Sequence, residues 1–186
     1  MTSRIDTAQL QRANAFVTRV LGPYVINADM SWPHGESRVL EVYDRDGLPW
    51  IVKTCRLPLH FEQESHAYRE WVPAIGGRTP RLVDADPDSN TLIMTREPGC
   101  ITPGSPAEVH RQAGALISRM HRSAPAQPAA DFTERLRDRL SRGLGDAAAL
   151  FDARDLDFVH DQITALSGGP VVQLVPAHQD NQPRNW

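Results

Sequence analysis

The spacing of hydrophobic residues changes along the chain, and each change predicts a different kind of secondary structure. Residues 6–21 place apolar side chains three and four positions apart, which predicts an amphipathic helix. Asp6 or Thr7 is suited to begin this helix, and Gly22-Pro23 is suited to end it. The segments that follow, YVINADM, SRVLEVYD and LPWIVKTCR, are short and rich in β-branched and aromatic residues. They predict three strands, the last two joined in a hairpin by the turn DRDG.

The next segments extend this pattern to a small sheet. Helical spacing returns over residues 60–72, and Pro73 ends the run. RLVDA and TLIMTRE enclose the turn-rich DPDSN, which predicts a second hairpin. SWPHGES is expected to be a loop between the first two strands, and PGCITPG indicates a linker or hinge after the last one. The sum is a five-stranded antiparallel sheet with one inserted helix.

The second half of the chain has mostly helical patterns. Ser105, Pro106 and Glu108 have the spacing of a capping box, so a helix is predicted to begin there. Residues 131–142 and 152–167 repeat the helical pattern, VVQLV predicts a short strand, and SAPAQPAA is interpreted as a linker between helices. The predicted buried face of the first of these helices comprises Val109, Ala113, Leu116, Ile117 and Met120. We therefore expect an α+β fold.

Composition and charge do not favour a nucleic-acid or membrane partner. The 186-residue chain has a formal net charge of -3, which gives no electrostatic reason to expect a nucleic acid or an anionic membrane. No apolar run approaches the roughly 18 residues that a membrane span needs, and the N-terminal segment lacks the apolar core of a secretory signal. We expect a soluble, cytoplasmic protein with no nucleic-acid and no membrane partner. Cys55 and Cys100 have no metal-binding or redox spacing, so no chemistry is assigned to them.

Lys53 is the first candidate functional residue. Nineteen of the twenty cationic residues are arginines, and Lys53 is the only lysine. A solvent-exposed strand lysine is the ordinary interpretation, but a chain that otherwise uses arginine suggests that this position needs a compact ammonium group, as at a phosphate cluster. Glu64 lies in the following helix on the same stripe as Phe61 and Tyr68, which turns it towards the sheet. An inward carboxylate needs a cation, and Lys53 is the obvious partner.

The last nine residues contain a second candidate site. His178, Asp180 and Asn185 have the spacing H-x-D-x-x-x-x-N. In phosphoryl transfer, an Asp at this position accepts the proton of the attacking hydroxyl, and the Asn holds a magnesium ion. We interpret His178 as a structural residue that braces the loop. A zinc site at His178 and Asp180 lacks further ligands at usable spacing.

The order and spacing of these parts resemble the aminoglycoside phosphotransferase and choline-kinase group of kinase-like enzymes, from about residue 22 onward. The resemblance is carried by strand, polar loop, strand, VK, helix with inward Glu, MTREPG, helices and HQDNQPRNW. It implies a two-lobed protein kinase-like fold, with residues 1–98 as an N-lobe and residues 99–186 as an incomplete, mostly helical C-lobe. It also implies ATP and Mg²⁺ as cofactors and a hydroxyl group of a small molecule as acceptor.

The resemblance also gives each candidate residue a role. It implies that Lys53 contacts the α- and β-phosphates and pairs with Glu64. Asp180 is implied to be the catalytic base and Asn185 a magnesium ligand. The remaining candidates are implied to surround the nucleotide, with Gly35, Glu36 and Ser37 covering the phosphates and the backbone of Thr95, Arg96 and Glu97 meeting the adenine.

Two features depart from the family pattern. SWPHGES lacks the several glycines of the phosphate loop in protein kinases. Family members also continue past the Asn into a hairpin with a second magnesium-binding Asp, equivalent to the Asp of D-F-G, whereas this sequence stops at Trp186. We therefore expect a truncated chain with impaired catalysis. We also expect exposed apolar C-lobe faces that permit self-association.

Two alternatives remain at this stage. One is a non-catalytic nucleotide-binding or interaction module, a pseudokinase that keeps Lys53 and Glu64. The other is an unrelated α+β domain in which the motif is coincidental. The acceptor is also open, since aminoglycosides, choline-like alcohols, homoserine and sugar-like metabolites all fit the family.

Overall fold

A computed structural model describes residues 5–32, 35–76, 79–98, 106–147, 150–165 and 171–177. These residues form two compact units: the first comprises the described residues up to Ala124 together with Pro176 and Ala177, and the second comprises Pro125–Val175. The lobe boundary placed after residue 98 stays a prediction. No helix among the described residues combines the length and the apolar character that crossing a membrane requires.

The first unit contains the predicted antiparallel sheet of five strands. Its strands lie in the order β1-β2-β3-β5-β4, and every neighbouring pair is antiparallel. The predicted strands, both hairpins and the inserted helix are confirmed. In chain order the elements are α1 (Thr7–Leu21), β1 (Tyr24–Asp29), β2 (Ser37–Asp44), β3 (Pro49–Cys55), α2 (Pro58–Glu70), the short α3 (Val72–Ile75), β4 (Leu82–Asp86), β5 (Thr91–Thr95) and α4 (Pro106–His121).

The two faces of the sheet are covered to different extents. On one face, α1 packs Phe16 and Val17 against buried side chains of the central strands, namely Leu40, Val42, Val52 and Ile93. On the other face, Phe61 of α2 packs against Cys55, Leu92 and Met94. Successive strand residues point to opposite faces, so Val39, Ile51 and Lys53 lie on the α2 face, where they are only half-buried. Part of the α2 face is therefore open.

The amide of Gln9 joins α1 to the sheet. Its Nε2 donates hydrogen bonds to the carbonyl oxygens of Cys55 at 2.8 Å and Ser89 at 2.9 Å. The side chain is buried, so these bonds satisfy a polar group that would otherwise be costly to remove from water. This anchor fixes α1 against the end of β3 and the turn between β4 and β5.

The second unit consists of two helices and a two-stranded sheet. The helices are α5 (Phe132–Ala147) and α6 (Ala153–Ala165), and the strands are β6 (Gln127–Ala129) and β7 (Val172–Leu174). The helices and β7 are confirmed, but the interpretation of SAPAQPAA as a linker is wrong because it contains β6. The partner of β6 lies more than 40 residues later in the chain, as in the pair Ala129↔Val172, so local spacing does not reveal it.

The apolar face of α4 is only partly buried. Ala113 is buried, Val109, Ile117 and Met120 are half-buried, and Leu116 is 39% exposed. The prediction of Leu116 as a buried residue is therefore wrong, because helical spacing places it on the apolar stripe but the packing leaves it uncovered. Self-association through exposed apolar faces stays a prediction.

Candidate functional site

Lys53 and Glu64 form an ion pair between β3 and α2. The Nζ atom of Lys53 donates to Oε1 of Glu64 at 2.8 Å and lies 2.6 Å from Oε2. About a quarter of each side chain is exposed, 26% for Lys53 and 23% for Glu64. The ammonium is therefore held in place by both carboxylate oxygens but still reaches solvent.

Local sequence explains how the two side chains meet. In β3, residues Ile51, Lys53 and Cys55 alternate onto the α2 face. The helix begins with Pro58 at its first position, where the fixed φ of proline is favourable and its missing N–H costs nothing. Glu64 lies three residues after Phe61, on the stripe of the helix that faces the sheet.

Two ionisable side chains beside the pair, Cys55 and Tyr68, are uncharged. The thiol of Cys55 lies 3.9 Å from Glu64 Oε2, and burial, followed by the charge of Glu64, raises the pKa of Cys55 to about 12. Burial and then Glu64 likewise raise the pKa of Tyr68 to about 12. Both groups are neutral at neutral pH, so the charge of Glu64 is balanced by Lys53 and not by either of them.

The loop before β2 lies at the Cys55 end of β3. The N–H of Gly35 donates to the carbonyl of Trp32 at 2.9 Å, and an added Cβ at Gly35 would lie 3.1 Å from that oxygen. Ser37 pairs with Cys55, two residues from Lys53. The structure thus places Ser37 two positions along β3 from the lysine, while residues 33 and 34 of the same loop lie outside the described residues.

Glu36 connects this loop to the start of α2. Its Oε2 lies 2.9 Å from Nδ1 of His60, and its Oε1 accepts a hydrogen bond from Nη2 of Arg56 at 3.3 Å. Its backbone carbonyl accepts from the N–H of Arg56 at 2.8 Å. These contacts make Glu36 an anchor for the loop. Its carboxylate contacts His60 in α2 and Arg56 in the turn before α2.

The segment after β5 lies at the opposite end of β3. Thr95 pairs with Trp50, and its Oγ1 accepts from the N–H of Arg81 at 2.9 Å and donates to Oε1 of Glu97 at 3.1 Å. Arg96 donates from Nε to Oε1 of Glu41 at 2.8 Å and from Nη1 to the carbonyl of Glu97 at 3.0 Å. Lys53 therefore lies between the two groups of residues that were implied to surround a nucleotide.

The remaining candidates lie outside the described residues. This applies to His178, Asp180 and Asn185, so their convergence with Lys53 stays a prediction. Within the part of the chain that the structure describes, no group of three or more His, Cys, Asp or Glu residues is arranged to hold a metal ion.

One residue at the site was missed in the sequence. Glu41 is a buried carboxylate in the central strand β2, and hydrogen bonds from Asn27 and then Arg96 hold its pKa below the ordinary value. The signal was present, because a Glu inside the apolar run of SRVLEVYD is unusual and needs a partner. The sequence did not identify that partner.

Comparisons with known proteins identify the fold. No protein-family model and no curated protein matches this sequence. Solved structures do match: a Thermobifida fusca YX-ER1 protein assigned as a fructosamine-3-kinase has a TM-score of 0.59 at 21% identity, over 89% of this chain and 65% of its own. The aminoglycoside phosphotransferase APH(4)-Ia has a TM-score of 0.58 at 12% identity, over 90% of this chain and 62% of its own. A thermostable mutant of that enzyme, in a ternary complex with ADP and hygromycin B, has a TM-score of 0.59 at 12% identity, over 85% of this chain and 61% of its own.

The chain spans less than two thirds of the length of each of these structures. At such identities the likeness establishes the fold rather than the activity. Together with the antiparallel sheet and its inserted helix, it shows that this chain has a protein kinase-like α+β fold.

Proposed function

We propose that this chain binds ATP through Lys53 and belongs to a kinase that phosphorylates a hydroxyl group of a small molecule. The observation that carries the proposal is the Lys53–Glu64 ion pair on the open face of the sheet. The pair lies between the loop at residues 35–37 and the segment at residues 95–97. The kinases among the solved structures support this assignment, and one of them carries ADP.

The chemistry of the pair suits a polyphosphate. An ammonium group has three N–H donors. The contact with Glu64 does not occupy all three of them. Contact with Glu64 holds the ammonium at a fixed position on β3. The exposed quarter of the Lys53 side chain then leaves room for phosphate oxygens, which a lysine binds as a point charge.

Three residues near the C-terminus are proposed to form the catalytic part of the site. The carboxylate of Asp180 takes the proton of the acceptor hydroxyl, the hydroxyl oxygen forms a bond to the γ-phosphorus, and the bond from that phosphorus to the β–γ bridging oxygen breaks, which releases ADP. Asn185 would supply an oxygen ligand of the kind that Mg²⁺ prefers. When bound, the ion would neutralise part of the phosphate charge. His178 is proposed to brace the loop.

The acceptor is proposed only as a class. One solved structure contains hygromycin B, which belongs to that enzyme. For this chain the proposal is a small molecule with a free hydroxyl group. A panel of aminoglycosides, choline-like alcohols, homoserine and sugar-like metabolites would identify it by ADP release.

The single lysine allows a direct test of ATP binding. An ATP analogue with an amine-reactive acyl phosphate can label only Lys53 and the N-terminal amine, since the sequence has no other lysine. We expect labelling at Lys53, measured by peptide mass spectrometry, and protection by excess ATP. Lys53→Met is expected to weaken ATP binding by about tenfold or more, because a charge-assisted contact is lost. Arg38→Met serves as the matched control. Arg38 pairs in register with Thr54, and both side chains lie on the face of the sheet opposite Lys53.

A second arm of the experiment tests catalysis. Asp180→Ala is expected to bind ATP normally but to lose turnover. ATP binding without any turnover that depends on Asp180 would favour the non-catalytic nucleotide-binding module. Two results together would instead favour an unrelated α+β domain. Lys53→Met would bind ATP as tightly as the wild type, and excess ATP would not protect Lys53 of the wild type from labelling.

A further inference from the structure

A second ion pair lies on the same sheet face as Lys53, one row of residues away. Glu41 pairs with Ile51, and Val39 pairs with Lys53, so Glu41 lies two positions along β2 from the residue opposite the lysine. Residues paired in register point to the same face. Ile51 therefore separates two charged pairs, Lys53–Glu64 and Arg96–Glu41.

The Arg96 side chain connects strands that are not neighbours. Arg96 follows β5, Glu41 belongs to β2, and β3 lies between them. Two strand spacings amount to about 9.6 Å, so the arginine side chain must cross β3 to place Nε 2.8 Å from Glu41 Oε1. On the other side, Nδ2 of Asn27 donates to Oε2 of the same carboxylate. One carboxylate thus ties β1, β2 and the segment after β5 together.

Stability alone does not explain this arrangement. The Glu41 side chain is 10% exposed and that of Arg96 is 36% exposed, so the carboxylate is removed from water, at a cost in free energy that an apolar side chain would not have. The pair does fix geometry, because Arg96 also bonds the carbonyl of Glu97 at 3.0 Å. The described residues 96–98 form no strand pairing, so the side-chain bonds of Arg96 hold this backbone where the sheet ladder has ended.

We propose that Glu41 and Arg96 are positioning residues that hold the backbone of residues 95–97 in place for the nucleoside part of the nucleotide, whereas Lys53 serves the phosphates. This inference rests on the proposed nucleotide site. It divides the open face into a phosphate end at Lys53 and a nucleoside end at Arg96, with the apolar side chain of Ile51 between them. The two ends are expected to respond separately to substitution.

The test uses three probes that report on different ends. ATP, adenosine and inorganic tripolyphosphate compete with a fluorescent ATP analogue on the full chain. Glu41→Gln and Arg96→Met should weaken ATP and adenosine binding by about tenfold, the effect of losing one charge-assisted contact, and leave tripolyphosphate within twofold. Lys53→Met should do the reverse, weakening ATP and tripolyphosphate and leaving adenosine unchanged. Arg96→Lys, which keeps the charge but loses the guanidinium fork, should give an intermediate adenosine affinity.

The outcomes are distinguishable. Arg38 lies on the face of β2 opposite Glu41, where it forms an ion pair with Asp29. Arg38→Gln breaks that pair and should leave the affinities for all three probes unchanged. Wild-type adenosine affinity in Glu41→Gln would overturn this inference and leave the proposed function intact. Equal loss of adenosine and tripolyphosphate in Glu41→Gln would also overturn it, because that pattern indicates general disruption. No ATP or tripolyphosphate binding by the wild type would overturn the proposed function and this inference together.

Discussion

The ion pair between Lys53 and Glu64 permits a quantitative prediction. Lys53→Met removes the ammonium and keeps an apolar stem of similar length, so Glu64 loses the cation that contacts both of its oxygens, at 2.8 and 2.6 Å. Glu64→Gln removes the charge from the other side and keeps the shape. The pair of substitutions, made singly and together, forms a double-mutant cycle.

The magnitude follows from the exposure of the two side chains. Fully exposed ion pairs contribute about 0–1 kcal/mol, whereas removing one partner of a fully buried pair costs about 3–5 kcal/mol. With 26% and 23% exposure, this pair lies between these limits. We expect Lys53→Met to lower the free energy of unfolding by about 1.5–3 kcal/mol and the coupling energy to be about 1–2 kcal/mol.

Tryptophan fluorescence during urea unfolding is a suitable assay. Three of the four tryptophans, Trp32, Trp50 and Trp71, belong to the described part of the first unit, so most of the signal reports the unit that contains the ion pair. A 1 kcal/mol loss corresponds to a decrease in Tm of about 2–4 °C for a chain of this size. A coupling energy indistinguishable from zero would refute the reasoning, because it would mean that the two charges do not interact in solution.

Four further predictions concern other parts of the first unit. The hydrogen bond from Trp50, followed by that from the Leu48 N–H, holds the pKa of Asp44 below its ordinary value. The stability that this carboxylate contributes is therefore present above about pH 4 and is lost as the pH falls through the lower folded-state pKa. Asp44→Asn removes this contribution, so its acid unfolding transition, followed by fluorescence, should be shallower. Gly114→Ala should raise the free energy of unfolding by about 0.5–1 kcal/mol, because Gly114 lies inside α4 with nothing within 4 Å of an added Cβ. Gly47→Ala should lower the free energy of unfolding by about 1 kcal/mol, because its φ of +76° disfavours a side chain. Both changes would be measured by urea unfolding. Cys55, with its pKa raised to about 12 by burial, should resist iodoacetamide at pH 8 in the native protein and react after unfolding, as peptide mapping would show.

Each of these predictions has an outcome that contradicts it. Unchanged stability in Gly47→Ala would show that this turn accepts a side chain. An identical acid midpoint and slope in Asp44→Asn would show that the hydrogen bond to Trp50 does not persist in solution. A destabilised Gly114→Ala would indicate that this face of α4 is covered. Rapid alkylation of native Cys55 would mean that β3 and α2 separate readily at that point.

The hydrophobic pattern was sufficient for the strands of the sheet, for its two hairpins and for the direction in which the side chains of β3 and α2 point. Alternation in β3 and the stripe through Phe61 and Glu64 put Lys53 and Glu64 on facing surfaces, and the structure brings the two side chains together. The pattern succeeds here because strand and helix periods directly decide which side chains point towards each other. The separation between the two residues is also small, 11 positions, so a strand followed by a helix is enough to make them meet.

Other features depend on residues far apart in the sequence. Arg96 and Glu41 are 55 positions apart, and Gln9 reaches carbonyl groups 46 and 80 positions away. Local periodicity identifies none of these partners, and it classed Leu116 as buried and the segment containing β6 as a linker.

The sequence by itself therefore determined the order of strands and helices and the lysine–glutamate pair, because these follow from the direction in which each side chain points. Only the tertiary structure decided that β3 lies beside β5, which carboxylate Arg96 reaches, and which part of the sheet stays open. Those properties depend on packing between distant segments, and the period of one segment carries no information about its distant partner.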